Sequence, residues 1–222
     1  MPSTPAELAL SILKQHYVSF MDAKPFADAT GQLVPSDTKA WSQILICALT
    51  DIKGRARQKG SDLEDGSDVK AANCWCAIDT PRFNGAIPAG RTTVASKKAH
   101  DVSALDGMPY LFFVLWDNRP DNKKPRCRIW CVRPQKDKVF RGMAAKWYKQ
   151  REAGTITSNN FQLHPPRFKN SDVFRNLCGN LSYPLFFSAV WEESSKKFVL
   201  ESYNPDVLSA GECSVASSTS LP

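Results

Sequence analysis

The spacing of apolar and polar positions divides the chain into helical segments at its start and a strand-rich body from about residue 68 onward. Thr4-Pro5-Ala6-Glu7 combines an N-cap hydroxyl, a proline suited to the first helical position and a glutamate able to bond back to the cap. Leu8, Ile12, Tyr17 and Phe20 follow at near-helical spacing, which predicts a first helix ending near Phe20 and a loop over 22–35 that holds Pro25, Gly31 and Pro35. A second helix is expected after Ser36-Asp37, with Trp41, Ile44, Leu45, Ala48, Leu49 and Ile52 on one face. The continuous apolar run 110–116 reads as a buried strand, and 126–132 as a strand returning from a charged turn. Residues 96–105 read as a polar helix and 140–153 as a basic amphipathic one. Ser171-Asp172 reads as the cap of a helix through Leu181, and 184–191 with 197–203 as a final hairpin. These elements predict an α/β (α+β) fold, a mixed central β-sheet flanked by helices. The expectation is one domain over 1–208, with a disordered, serine-rich tail over 209–222.

Between the helices and the strands lies Gly60-Ser61-Asp62-Leu63-Glu64-Asp65-Gly66-Ser67-Asp68-Val69-Lys70-Ala71-Ala72. Glu64-Asp65-Gly66 supplies a turn, and a strand starts at Asp68 and continues through 73–78. Alternation puts Asp68 and Lys70 on one face and Val69 on the other, towards a core, while the turn brings Asp62 back to join them. Two carboxylates a few ångströms apart repel unless a cation sits between them, and paired hard oxygens suit Mg²⁺. A lysine beside them can orient water and offset charge developing on a phosphate. A solvated acidic hairpin is the plainer reading of the same residues.

The spacing Asp-x5-Asp-x-Lys resembles the metal site of the PD-(D/E)xK nuclease superfamily, which includes type II restriction endonucleases and mismatch-repair nicking enzymes. Ser61 stands where the motif has proline, and Asp68 where glutamate is common. The resemblance implies a restriction-endonuclease-like core and a Mg²⁺-dependent, sequence-specific endonuclease that cuts double-stranded DNA to leave 5′-phosphates. It further implies that Asp62, Asp68 and Lys70 are catalytic, that Asp62, Asp68 and the Val69 carbonyl hold the metal, and that a homodimer cuts palindromic sites. The stretch Gly31-Gln32-Leu33-Val34-Pro35-Ser36-Asp37-Thr38-Lys39 resembles the N-terminal segment of some blunt-cutting restriction endonucleases, whose helix carries an acid near the metal. Here the corresponding Ile44-Leu45-Ile46 is apolar, which leaves Asp51 as a candidate replacement.

Charge and loop composition agree with a nucleic-acid partner. The net charge is +7, and a basic body around an acidic spot allows cations to hold phosphates while carboxylates hold metal. The basic run 53–60 directly precedes the acidic stretch. Candidate DNA contacts are Asn73, Arg82, Asn84, Arg91, Lys97, Lys98, Asn159, Asn160 and Arg167, since arginine and asparagine pair bidentately with base edges and lysine with phosphate. His100, without a matching second histidine, reads as a surface or phosphate-contact residue. The odd set of 7 cysteines reads as reduced thiols. No apolar run approaches membrane-spanning length and no signal peptide opens the chain, so a cytoplasmic protein without membrane contact is expected. Two competing readings are a non-catalytic DNA-binding module and an interaction protein stabilised by zinc on Cys74, Cys76, Cys127 and Cys131.

Overall fold

The computed structural model describes residues 3–35, 37–56, 60–75, 80–89, 101–209 and, for the backbone only, 215–216. In chain order the elements are α1 (Pro5–Thr30), α2 (Thr38–Thr50), β1 (Asp68–Asn73), β2 (Leu111–Asn118), β3 (Pro125–Val132), α3 (Lys138–Glu152), β4 (Val173–Asn176), β5 (Gly179–Ser182), β6 (Leu185–Glu192), β7 (Lys197–Tyr203) and β8 (Val215–Ala216). Five strands make a mixed sheet in the order β1-β2-β3-β6-β7. β1 runs parallel to β2 and every other pairing is antiparallel. β4, β5 and β8 form a second, smaller sheet.

Strand alternation sorts the central sheet's side chains into two cores. Val69, Phe112, Val114 and Trp116 face α1 and α2, where they meet Leu13, Leu45, Ile46 and Leu49. Ala72, Leu111, Phe113 and Leu115 face α3 and the small sheet, with Phe140, Trp147 and Phe174. Because β1 and β2 are parallel and in register, Asp68 and Lys70 pair with Leu111 and Phe113 and so belong to this second face.

The ends of several elements differ from the sequence-based expectation. α1 continues ten residues beyond Phe20, through Pro25, and stops only where Gly31 adopts the left-handed conformation (φ 67°). A Lys24–Asp28 ion pair of 2.6 Å and burial of Ala27 support that last stretch. β1 ends at Asn73, where the Asn73 side-chain oxygen accepts from the Trp75 N–H (2.7 Å) and turns the chain; 76–78 of the expected strand lie outside the described residues. The helix expected over 171–181 is instead the β4–β5 hairpin. Phe174 and Asn176 are buried while Arg175 is exposed, a period of two. The turn forms as Asn176 Oδ1 accepts from the Cys178 N–H (2.8 Å) and Gly179 takes φ 141°.

Of the polar helix expected over 96–105, only Val102–Leu105 lies among the described residues, as one 3-10 turn. Cys127 and Cys131 point into the first core while Cys74 packs against the second. The sheet therefore separates them, and they cannot share a zinc ion; Cys76 lies outside the described residues. Among the described residues no helix is long and apolar enough to cross a membrane.

Candidate active site

β1 is the outer strand of the central sheet, and its parallel pairing decides what faces outward. The Asp68 N–H donates to Tyr110 O (3.1 Å) and the Cys74 N–H to Trp116 O (2.7 Å). Parallel pairing alternates strictly, so the N–H and C=O of Val69 point away from β2. Into that open edge come both acids: the Val69 N–H donates to Asp62 Oδ2 (3.1 Å) and to Asp68 Oδ1 (3.0 Å). Lys70 Nζ lies 2.6 Å from the other Asp68 oxygen, Oδ2.

The chain around Asp62 is built to deliver it there. Residues 53–55 run beside 62–64, with the Arg55 N–H donating to Asp62 O (2.8 Å) and the Glu64 N–H to Lys53 O (2.9 Å). Gly66, at φ 98°, closes the turn so tightly that a Cβ would strike the Gly107 carbonyl oxygen. Ser67 then fixes the turn to the neighbouring strand: its hydroxyl donates to Asp65 Oδ2 (2.8 Å) and accepts from the Tyr110 N–H (3.1 Å). Thus two residues of the basic run, Lys53 and Arg55, are pinned alongside the acidic turn; residues 57–59 lie outside the described set.

A further side chain arrives from α2. Gln43 Nε2 donates to Asp62 Oδ1 across 2.5 Å, so both Asp62 oxygens are engaged. The expectation that Asp51 would take this place is not met: Asp51 is the left-handed C-cap at the far end of α2 (φ 59°), eight residues from Gln43. The sequence gives only a faint sign of Gln43, a polar residue beside Ser42 just before the apolar run Ile44–Leu49.

The electrostatics suit a cation. Burial, and next the hydrogen bond it shares with Asp62, push the Asp68 carboxyl up to about 6, against the opposing pull of Lys70. Lys70 pairs with Asp68 alone, while Asp62 is held by Gln43 and the Val69 N–H. Among the described residues no group of three or more His, Cys, Asp or Glu is placed to hold an ion. Asp62, Asp68 and the outward Val69 carbonyl are the oxygen donors available.

The candidate DNA contacts divide into groups. Arg91, Lys97 and Lys98, with His100, lie outside the described residues. The Asn73 oxygen is occupied by its own turn, and the Asn159 oxygen accepts from Arg151 Nη2 (2.7 Å). Asn84 Oδ1 accepts from Asn160 Nδ2 (3.0 Å) and Gln162 Nε2 (3.1 Å), and Asn160 Oδ1 accepts from the Gly85 N–H. These amides stitch two loops into a ribbon, which Phe83 and Leu163 complete by exchanging main-chain hydrogen bonds (2.9 and 3.1 Å). Arg82 is exposed on that ribbon.

Arg167 is exposed in a loop with its guanidinium 5.7 Å from the Phe168 ring centre. This loop is fastened from below. Arg126 donates to Asp117 through Nε and Nη2 (2.9 Å each), to Lys169 O and to Asn170 Oδ1, while Arg128 donates to Asp117 Oδ2 (2.8 Å), Pro166 O and Ser171 O. The Phe168 N–H completes the set by donating to Asp117 Oδ2 (3.2 Å).

At the outer edge of a mixed sheet the fold thus gathers two carboxylates, a lysine and an outward carbonyl. A family model described as MamI restriction endonuclease matches residues 25–197, and the chain belongs to that family. It is 32% identical over 180 residues to the type II restriction enzyme MamI of Microbacterium ammoniaphilum, an alignment covering 71% of this chain and 53% of the relative. The chain therefore spans about half the length of the curated relative it matches. No solved structure matches it.

Proposed function

We propose that the chain is a Mg²⁺-dependent, sequence-specific endonuclease, type II restriction enzyme-like, that hydrolyses phosphodiester bonds of double-stranded DNA and leaves 5′-phosphates. The observation that carries this reading is the convergence of Asp62 and Asp68 on the outward Val69 N–H, with Lys70 2.6 Å from Asp68. Membership of a restriction endonuclease family supports it.

Asp62, Asp68 and the Val69 carbonyl would hold the Mg²⁺, which when bound polarises the phosphoryl oxygens and offsets their charge. Lys70, held by Asp68, orients the attacking water and adds positive charge beside the phosphate. Water adds at phosphorus in line with the 3′ oxygen, the P–O3′ bond breaks, and the 3′ oxygen leaves protonated. Two copies related by a two-fold axis would each cut one strand of a palindromic site in cytoplasmic DNA.

Purified protein incubated with unmethylated phage DNA and Mg²⁺, beside Asp68→Ala and Lys70→Ala, tests the assignment. Discrete fragments with the wild type and none with either variant are the expected result, and end-labelling should find 5′-phosphates. Undiminished cutting by Asp68→Ala would show that other acids are used. Duplex binding without cutting in any metal would leave only a DNA-binding module. Sedimentation of the protein bound to a cleaved-site duplex reports whether two copies are present.

A further inference from the structure

Away from the carboxylates, the register of the ribbon sets two arginines and a histidine in a row. Phe83 bridges Leu163, which places Arg82 opposite His164, and His164 in turn bridges Arg175 of β4. The two bridges are made by short main-chain hydrogen bonds, those between His164 and Arg175 being 2.8 and 3.0 Å. Residues directly opposite across antiparallel strands share a face, with Cβ atoms about 5 Å apart. Arg82 and Arg175 are exposed and His164 is half-buried.

Protonating His164 would set like charges directly opposite one another, which repel unless an anion joins them. Among the described residues no carboxylate forms an ion pair with any of the three. The charged groups acting on His164 are Arg82 from the first loop and Arg175 from β4; burial first, and then these two, hold its imidazole below the ordinary range. The adjacent tier of the same face is the amide cluster of Asn84, Asn160 and Gln162.

The other face of the ribbon ties it to the catalytic edge. Phe83, Leu163 and Phe174 are buried, and the Phe83 ring lies 5.0 Å from that of Phe113. Phe113 is the register partner of Lys70. The row therefore stands one packed layer above the sheet, at the level of Lys70 and one strand inward.

We propose that Arg82, His164 and Arg175 form a phosphate-binding strip for the backbone of duplex DNA beside the cleavage site. The proposal rests on the nuclease reading above and adds to it a surface and the group it takes. Three strands at about 4.8 Å spacing span roughly 10 Å, the axial length over which one DNA strand presents about three phosphates. Arginines at the two ends take phosphates at any pH. His164 between them takes one best when protonated, so binding should draw a proton onto it.

The test is binding of a fluorescent 30-base-pair duplex in EDTA, so that nothing is cut, over a series of KCl concentrations at pH 6 and pH 8. Arg82→Gln and Arg175→Gln are each expected to reduce the slope of log K against log salt by about 0.9. His164→Gln should match the wild type at pH 8 and lack the tightening the wild type shows on going to pH 6. Lys14→Gln, an exposed site on α1 beneath the opposite face, removes the same charge and should leave the slope unaltered. Arginine variants that behave like Lys14→Gln, while the wild type binds duplex and cuts it with Mg²⁺, would overturn the strip alone. A wild type that neither binds duplex nor cuts it would overturn the nuclease reading and the strip together.

Discussion

Gln43 on α2 donates its side-chain amide to Asp62 at 2.5 Å, nineteen residues along the chain, and so fixes which way an acid of the sheet edge points. The Val69 N–H holds the other Asp62 oxygen, leaving the carboxylate with one orientation. Groups that orient a metal ligand typically matter 10–100-fold in affinity or activity. Gln43→Leu should therefore raise the Mg²⁺ concentration needed for half-maximal single-turnover cleavage by about tenfold or more. Metal-free duplex binding should be unaltered, which separates a positioning role from a damaged fold. An unshifted Mg²⁺ midpoint would mean that Asp62 holds its place without help.

Asp68 makes metal-free stability depend on pH with a definite sign. Its folded-state value, about 6, lies above the ordinary 3.8. The stabilisation from the protonated form is thus complete below about pH 3.8 and is lost as pH rises through 6. At 1.36 kcal/mol per unit the loss is about 3 kcal/mol at most. In EDTA, Asp68→Asn should be more stable than the wild type at pH 7.5, and the gap should close at pH 4.5. Added Mg²⁺ should raise the melting temperature of the wild type at pH 7.5 but not that of the variant. Thermal melts of both proteins over these three conditions decide it.

His16 has the opposite sign. It is buried among Trp41, Trp75 and Trp116, with ring centres 4.7–5.9 Å away, and its Nε2 has no hydrogen-bond partner among the described residues. Burial drives its pKa down to about 4, with Asp37 pulling only weakly the other way. Its neutral form supports the fold above pH 6.5, and that support is lost as pH falls through 4, again about 3 kcal/mol in all. His16→Leu should flatten the wild type's loss of stability between pH 6.5 and 4. An NMR titration showing His16 charged near pH 6.5 would contradict the prediction.

Asp117 is fully buried and pairs with two buried arginines that also hold the loop carrying Arg167. Removing one member of a buried charge cluster leaves the others uncompensated and typically costs 3–5 kcal/mol. Asp117→Ala should lose about that much in urea denaturation. Limited proteolysis should cut first near Phe168, whose N–H loses its acceptor. A loss below about 1 kcal/mol would show that water replaces the carboxylate.

The parts legible in the sequence were those that depend on neighbours a few residues apart. Period-two alternation is enough to put Asp68 and Lys70 on one face and Val69 on the other, and Gly66 marks the turn that returns Asp62. The apolar continuity around Phe112 and Ile129 marks the two central strands. What escaped depends on distant partners. Gln43 gains its place only when α2 packs against β1. Arg175 stayed hidden because Ser171-Asp172 imitates a helix cap, whereas Phe174 is drawn into the second core and imposes the strand period. Pro25 looks like a helix end, yet α1 passes through it because Ala27 has a core to pack against.

The outer edge of β1, which no described strand covers, has a consequence for solubility. An outer strand with free N–H and C=O groups invites another chain to pair with it. Here the Val69 N–H is already taken by the Asp62 and Asp68 carboxylates, so an incoming strand would have to displace two acids. The site thus guards the sheet against edge-to-edge growth. A chain stripped of both acids would lose that guard and aggregate more readily at high concentration.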